Sequence, residues 1–324
     1  TFMEPQAGGA CRAGNIYNLL QRVLYRMVEQ GQLEYAQIPV ISLNLMGEEK
    51  HTGFRITPSL LSGGIAAGCY GDLIMCLYQQ VKPYEQNPGE TDRIRSQVEK
   101  KLCESIRRHR NGRHTREKNY RYACEVFSKV PVKPGKKKRV GITGEIYMKC
   151  SKLGNDDIES FLLRQGMEPY SGGFINYCLY LVDTERYKAE KYQHNPIMAK
   201  ACAFVLHRLC EAQKHLLTVI GETDRFQTDL PFPELKEKVQ GILAEGCNTG
   251  DGWLIAAEVI QYVEKGCGSV LILHPFGCLV SHVCERGILQ RLHARFPDVS
   301  IQTIEYDYDQ SKTLRESRIL LAIS

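Results

Sequence analysis

The sequence predicts an α/β protein built around a parallel sheet, and three observations lead to this fold class. From residue 140 onward, short apolar runs rich in β-branched residues alternate with longer stretches of helical periodicity, a pattern typical of parallel strands joined by helices. "VPVKPGKKKR" (130–139) combines two prolines, a glycine and a run of basic residues, the composition of a linker. The apolar run "IPVISLN" (38–44) allows a smaller sheet in the first half. We therefore place a helix-rich α/β domain at 1–135 and a second α/β domain at 136–324.

The first half is predicted to be mainly helical. Apolar side chains repeat at helical spacing over 15–30, and Gly31 then ends that helix. A polar, glycine-rich loop is expected over 45–64, and a long helix follows from about 65 to 82. "PYEQNPGE" breaks this helix, and another one runs through basic residues to about 110.

The second half alternates strands and helices more regularly. Strands are expected at 140–147, 269–273 and 299–305. Helices are expected at 155–166, 173–220, 285–296 and 311–323, with further helices beginning at "PFPELKEK" and "NTGDGW". In the helix after "NTGDGW", one apolar face is predicted, and it consists of Trp253, Ala256, Ala257, Ile260 and Val263.

The composition indicates a real hydrophobic core and reduced cysteines. Of the 324 residues, 43% are hydrophobic, which excludes a disordered chain. We expect no membrane span, because no run of about 18 apolar residues is present. The thirteen cysteines are odd in number and irregular in spacing, which argues against a secreted disulfide framework. We therefore expect a cytoplasmic protein in which most thiols pack as small hydrophobes.

The net charge of +5 conceals a strongly basic segment. Residues 93–139 contain 17 Lys and Arg against 4 Asp and Glu, a net charge of +13, so the rest of the chain carries −8. A solvated helix and linker account for such a segment in the simplest way. Alternatively, it is a docking face for an acidic partner or for the phosphates of a nucleotide-like ligand. A nucleic-acid-binding role is not favoured, since few aromatic residues are interleaved there.

The stretch "HPFGCLVSH" (274–282) places Cys278 on the turn between a predicted strand and a predicted helix. Ligands of parallel sheets bind at such carboxyl ends of strands. Packing remains one interpretation of this cysteine. A local zinc site would use His274, Cys278, His282 and Cys284, but their spacing matches no compact pair of ligand pairs. A nucleophilic cysteine with a histidine base lacks a supporting signature.

An iron–sulfur site assembled from distant cysteines is the third alternative to packing. Such a site requires thiolates but no fixed local spacing when the fold brings loop ends together. Cys11 in "GGACRAGN" and Cys178 in "SGGFINYC" share the glycine-flanked setting of Cys278, and glycine permits close approach of the backbone. The remaining helical cysteines are more simply explained by packing. They are Cys69, Cys76, Cys103, Cys124, Cys202 and Cys210.

The chain lacks the sequence signatures of an ATPase. Neither a G-x4-G-K-[ST] loop nor a G-x-G-x-x-G motif after a strand is present. "TGDGW" (249–253) begins a helix and is more simply a helix start than an anion site. ATP hydrolysis by this chain alone is therefore not expected.

Several stretches of the sequence resemble a known protein family. The chain resembles the module associated with large acyl-CoA dehydratase activases. The stretches that carry the resemblance are "EGCNTGDGWLIAAEVIQYVEKGCGSVLILHPFGCLVSH", "GGACRAGNIYNLLQRVL", "YGDLIMCLYQQVKPYE" and "VGITGEIYMKC". That module is related to the iron–sulfur subunits of 2-hydroxyacyl-CoA dehydratases and benzoyl-CoA reductases, and to double-cubane cluster proteins. The resemblance covers most of the chain and is weakest over 93–139. It implies two Rossmann-like (flavodoxin-like) domains with helices on both sheet faces and a cluster site at the domain interface.

The resemblance also implies a cofactor and its ligands. The family holds a [4Fe–4S] cubane through three cysteines, and some relatives carry a sulfide-bridged double cubane, [8Fe–9S]. Carried onto this sequence, the three ligands are Cys11, Cys178 and Cys278, while Cys150 or Cys69 are alternatives to Cys178. His274 and His282 become candidates for supporting positions around the cluster. No catalytic residue is assigned.

The resemblance further implies a redox function. The leading hypothesis is an iron–sulfur reductase component, an oxidoreductase that accepts low-potential electrons from an ATP-hydrolysing activase with its own cluster and delivers them to a small-molecule substrate. The alternative is a non-catalytic electron-relay or scaffold domain of a large activase. The chain resembles the activase-associated module more than the subunits that bind acyl-CoA, so a CoA substrate is not implied. We expect an anaerobic, cytoplasmic homodimer with no membrane or nucleic-acid partner.

Overall fold

The computed structural model describes residues 2–5, 15–34, 40–43 and 57–324. The chain divides into two compact units, the first drawn from 1–56 with 277–279 and the second from 57–276 with 280–324. The described part of the first unit contains a strand, a helix and a second strand. They are β1 (Phe2–Pro5), α1 (Ile16–Glu29) and β2 (Val40–Leu43). The two strands pair in parallel, and Gly31, with φ of +68°, follows the end of the helix as predicted.

The second unit contains a four-stranded, all-parallel sheet in its described residues. Its strands are β3 (Arg139–Gly144), β4 (Glu168–Tyr170), β5 (Cys267–Pro275) and β6 (Ser300–Tyr306). Their spatial order is β4-β3-β5-β6, which is the order of the first four strands of a flavodoxin-like sheet. The prediction of an α/β protein with a parallel sheet is therefore confirmed.

Helices precede, connect and follow these strands. Those before the sheet are α2 (Pro58–Val81), α3 (Glu90–Arg107) and α4 (Arg113–Ser128). Those between β3 and β5 are α5 (Ile146–Cys150), α6 (Ile158–Arg164), α7 (Phe174–Lys191), α8 (Pro196–Gly221), α9 (Phe232–Glu237) and α10 (Gly252–Glu264). A π-helical turn (Ser281–Glu285), α11 (Arg286–Arg295) and α12 (Lys312–Ile323) complete the chain.

Both faces of the sheet are covered, and the pleat of β5 divides its side chains between two cores. Val270 and Ile272 belong to the larger core, which also includes residues of α2, α4, α7, α8 and α10. Leu271 and Leu273 point into the smaller core, formed with α6 and α12. Successive strand residues face opposite sides of a sheet, so a strand that is apolar throughout indicates helices on both faces.

The long helix α2 is a core helix of the second unit. The helical stretch Pro58–Tyr84 is long and apolar enough, by length and composition, to cross a membrane. Several of its side chains are nevertheless fully buried, including Ala66, Cys69, Leu73 and Leu77. They pack with residues of α4, α7 and α10 in the larger core. Packing against other helices therefore accounts for part of the apolar composition of α2, because 33% of its most apolar stretch is buried.

The larger core also includes residues from both sides of the predicted domain boundary near residue 135. Leu73 and Phe127 before the boundary pack in the same cluster as Trp253 and Val270 after it. The segment 129–138 itself contains no helix or strand apart from an isolated bridge between Glu85 and Val132, consistent with its linker-like composition. The division at 135 stays a prediction.

Several predicted boundaries need correction. The strand expected over 140–147 ends at Gly144, because Glu145 caps α5 by accepting from the Met148 N–H. The helix expected over 155–166 begins only at Ile158. β4 was not predicted at all. The helix after "NTGDGW" has no single apolar face, since its side chains are buried on all sides from Gly252 to Tyr262.

The basic segment forms most of α3 and α4 and the linker after them. Several of its cations pair along their own helix, as Arg95 does with Glu99, Arg108 with Glu104 and Lys129 with Glu125. These pairs are exposed, so screening by solvent leaves each of them little effect on stability. Such pairing supports the interpretation of the basic segment as a solvated helical surface.

Candidate functional site

The strand order reverses between β3 and β5, and the carboxyl ends of these two strands form the switch point of the sheet. Ligands of open parallel sheets bind at this position. The two strands approach closely there, with the Glu145 N–H donating to the Leu273 carbonyl at 2.9 Å. Gly144 has φ of +129°, and a Cβ at this residue would lie 2.0 Å from the Leu273 oxygen. Only glycine fits this position.

A buried ion pair lies just beyond β3. The Lys149 ammonium is 2.6 Å from Glu258 Oε1 on α10, and the two side chains are only 4% and 2% exposed. The Thr143 hydroxyl donates to the other carboxylate oxygen at 2.6 Å. Burial opposes the charged form of Lys149, but attraction to Glu258 and other acidic groups outweighs it, so the pKa of Lys149 is raised. The Lys149 ammonium is therefore charged at neutral pH.

The Asp251 carboxyl interacts electrostatically with those of Glu145, Glu258 and Glu285, and we call these four residues the acidic cluster. Burial, reinforced by Glu145, raises the pKa of Glu285 to about 8. Burial and the same neighbouring carboxylates raise the pKa of Asp251 well above its usual range. Glu285 accepts from the Ser281 hydroxyl at 2.7 Å through one oxygen, while its other oxygen has no hydrogen-bond partner among the described residues. Protons are therefore held in this cluster at neutral pH.

Asp72 of α2 fixes the start of α7. Its carboxylate accepts from the Phe174 and Ile175 N–H groups at 2.7 and 2.9 Å, which satisfies two of the donors left open at a helix N-terminus. The cap approaches so closely that a Cβ on Gly173 would lie 2.2 Å from the carboxylate. Burial raises the pKa of Asp72 to about 7, although the two N–H donors act to lower it.

Cys178 lies about one turn into α7 and is partly exposed. Burial and then the nearby Asp72 raise the pKa of its thiol to about 12. The thiolate that a metal requires is therefore stabilised here only when a positive ion is bound. Cys278 is also partly exposed and follows β5 after Gly277, whose φ is +70°.

Two of the three predicted cluster ligands are described. Cys178 belongs to the second unit and Cys278 to the first, whereas Cys11 lies outside the described residues. Both described thiols are partly exposed and follow strands of the parallel sheet after glycine-containing turns, but among the described residues neither belongs to a group of three potential ligands close enough to share an ion. The three-cysteine site stays a prediction.

The alternatives to Cys178 differ in their surroundings. Cys69 is fully buried in the larger core, where burial raises the pKa of its thiol to about 11. This setting favours packing for Cys69. Cys150 is exposed at the end of α5, directly after Lys149. Of the helical cysteines interpreted as packing residues, Cys124 is buried, whereas Cys103 is exposed on α3.

The two predicted supporting histidines lie together. His274 is not on the turn but on β5, where it pairs in register with Glu305 of β6. Its ring centroid is 5.4 Å from that of His282, which lies on the π-helical turn. Within the described residues, His274, His282 and Glu305 form the one group of three potential ligand side chains close enough to share an ion.

Sequence reasoning missed the charged residues of the switch point. Glu258 stands alone among apolar residues in "WLIAAEVIQY", and Asp72 does so in "YGDLIMCLY". A single carboxylate inside an apolar helix is a usable signal, because a buried charge requires a partner. Lys149, by contrast, is separated from Glu258 by 109 residues and carries no local signal.

No family model matches this chain, and neither a curated protein nor a solved structure is significantly similar to it.

Proposed function

We propose that this chain is a cytoplasmic iron–sulfur reductase component, with a cubane-type cluster bound by Cys11, Cys178 and Cys278. One observation carries the proposal: Cys178 and Cys278 each follow a parallel strand after a glycine-containing turn, where ligands of such sheets bind. The resemblance to activase-associated modules supplies the cluster type. The proposal extends to two Rossmann-like domains with the cluster at their interface.

When bound, the cluster would supply low-potential electrons that an ATP-hydrolysing activase partner provides. The chain's own residues position the ligands and handle protons. Asp72 caps α7 and so fixes the helix that carries Cys178. The pKa of Asp72, raised to about 7 mainly by burial, suits a group that exchanges protons near neutral pH. The acidic cluster holds further protons at the carboxyl edge of the sheet, where a substrate that accepts electrons also requires protons.

Iron analysis of anaerobically purified full-length protein tests the proposal. We expect brown, oxygen-sensitive protein with about four irons per chain, or about eight if the cluster is a double cubane, and an equivalent amount of acid-labile sulfide. Cys178→Ser and Cys278→Ser should each lower the iron content. Cys103→Ser is the matched control, because this thiol is exposed on α3 and follows no strand. Colourless wild-type protein, or full iron content in both ligand variants, would contradict the proposal.

A second experiment separates a reductase component from a relay domain. A reductase component, combined with an ATP-hydrolysing activase and ATP, transfers electrons onward to a bound small molecule. A relay or scaffold domain holds its cluster but reduces no substrate. Single-turnover reduction of small-molecule acceptors, followed with and without ATP, distinguishes the two.

A further inference from the structure

A compact group of two imidazoles and one carboxylate lies at one edge of the second unit, at the ends of β5 and β6. His274 Nδ1 is 3.9 Å from Glu305 Oε2, and His282 Nε2 is 3.7 Å from the same oxygen. One ligand atom of each side chain lies within 4.8 Å of the others. Ligand atoms around a tetrahedral zinc ion are about 3.3 Å apart. The widest separation, at most 4.8 Å, must shorten by up to about 1.5 Å to reach this spacing, and the two partly exposed side chains can supply that movement.

The backbone sets this geometry. Parallel pairing of β5 and β6 holds His274 directly opposite Glu305, so these two ligands sit on a rigid part of the fold. His282 comes from the π-helical turn that joins β5 to α11. Such turns are rare and are frequent at functional sites.

The buried histidine, His274, lacks a strong hydrogen-bond partner. His274 is fully buried, and its Nε2 has no hydrogen-bond partner among the described residues. Its Nδ1 has one long contact, 3.4 Å from the Pro275 carbonyl. A buried polar group without a strong partner costs about 1–3 kcal/mol. Nδ1 is the nitrogen that faces Glu305, so a cation at the site would replace its long contact with the Pro275 carbonyl by a strong bond.

From this group we propose a mononuclear site for a divalent transition metal such as zinc, with His274, His282 and Glu305 as its protein ligands. Two imidazoles and a carboxylate are typical ligands of zinc and of first-row metals near it. His282 and Glu305 are 32% and 26% exposed on their side chains, so the ion and a fourth, solvent ligand have access. The site uses none of the cysteines of the proposed function, so the proposal does not depend on that function.

Arg286 would compete with a bound ion for the carboxylate of Glu305. Its guanidinium lies 3.3 Å from the same oxygen of Glu305 that faces both histidines. The side chain is 48% exposed and can swing into solvent. A cation at the site must displace this contact, so Arg286 lowers the affinity of the site for metal.

Titration of purified full-length chain with Co²⁺, followed by competition with Zn²⁺, tests the proposal. We expect one tightly bound Co²⁺ with visible ligand-field bands, and an X-ray absorption spectrum of the zinc form that requires nitrogen and oxygen ligands alone. His282→Ala and Glu305→Gln should each weaken binding more than about tenfold, whereas Arg286→Ala should strengthen it.

Glu117→Gln is the matched control, because Glu117 forms another histidine–glutamate pair, with His215 at 3.3 Å, and no third potential ligand joins this pair in the part of the chain that the structure describes. It should leave the affinity unchanged. His274→Ala is avoided, since it removes a buried side chain and endangers folding. Sulfur ligands in the absorption spectrum, or unchanged affinity in both ligand variants, would overturn the proposal.

The two sites are distinguished by the same measurements. Cys178→Ser should lower iron without affecting Co²⁺ binding, whereas His282→Ala should weaken Co²⁺ binding and leave iron and sulfide in place. Failure of one proposal therefore leaves the other standing.

Discussion

Removal of one partner of the Lys149–Glu258 ion pair at the switch point should cost more stability than removal of both. Its charges are almost completely removed from water, and desolvation of an ion costs several kcal/mol. Mutual attraction, together with the Thr143 hydroxyl bond, offsets this. Loss of one partner leaves the other charge buried without compensation, whereas loss of both leaves no buried charge.

Glu258→Gln should therefore destabilise the protein by about 3–5 kcal/mol. The double variant Lys149→Met/Glu258→Gln should recover a large part of this loss, because the unpaired ammonium is removed as well. Chemical denaturation of the two single variants and the double variant measures the coupling. If the single and double variants were equally destabilised, packing rather than charge pairing would account for the effect.

At the residue scale, some of the candidate ligand residues could be predicted from the sequence. The glycine-flanked settings of Cys178 and Cys278 are visible in the sequence, and the structure describes both as partly exposed thiols after strands. Glu305, by contrast, becomes a neighbour of His274 only through the register of β5 and β6. Register between strands 31 residues apart in the chain, from His274 to Glu305, cannot be obtained from local periodicity.

At the element scale, the start of α7 depends on close contact between two helices. The Asp72 carboxylate reaches the first N–H groups of α7 only because Gly173 has no Cβ. Gly173 itself has φ of −66° and ψ of 154°, a conformation open to any residue. Steric contact with Asp72, and not backbone strain, is therefore what requires glycine here.

Gly173→Ala should destabilise the protein by about 0.5–2 kcal/mol, since the new methyl group displaces the cap on the Phe174 and Ile175 N–H groups. Gly71→Ala is the matched control, because a Cβ at this exposed position of α2 meets nothing within 4 Å. It should stabilise the protein by about 0.5–1 kcal/mol. Thermal unfolding of the two variants gives the comparison, and a neutral Gly173→Ala would show that the cap adapts without loss.

The elements that sequence analysis misjudged have local explanations. β4 is only three residues long and contains Pro169, which cannot donate to a ladder and fits an edge strand. The expected helix over 173–220 divides into α7 and α8 at a break where Asn195 caps the Met198 N–H and Pro196 occupies the first helical position. The Asn-Pro dipeptide signals this break, whereas nothing in the composition of β4 signals a strand.

At the scale of the whole molecule, the parallel sheet was predictable because its central strands are apolar on both faces and alternate with helices. What periodicity does not reveal is the number of ionisable groups that the fold buries near the switch point. Glu145, Asp229 and Asp251 have raised pKa values chiefly because of burial. Asp72 and Glu285 reach about 7 and about 8 for the same reason.

These groups set the sign of the pH dependence of stability. A carboxyl group whose pKa is higher in the folded state than in the unfolded state binds more protons when folded, so it stabilises the fold at low pH and loses this contribution as the pH rises. For Asp72 the loss extends from about pH 4 to 7, and for Glu285 from about pH 4.5 to 8. Asp92 acts in the opposite direction. Hydrogen bonds to Lys82 and Tyr78 outweigh burial and lower its pKa, so the stability that it contributes is lost as the pH falls below about 4.

The free energy of unfolding should therefore fall between pH 5 and 8. Glu285→Gln should remove part of this slope, because glutamine retains an acceptor for the Ser281 hydroxyl but cannot ionise. Each unit of pKa shift corresponds to about 1.4 kcal/mol, so the variant should gain on the order of a few kcal/mol relative to wild type as the pH rises from 5 to 8. Urea denaturation of both proteins across this range checks the prediction. Parallel pH profiles would mean that Glu285 ionises as easily in the folded chain as in the unfolded one, and that the acidic cluster is open to water.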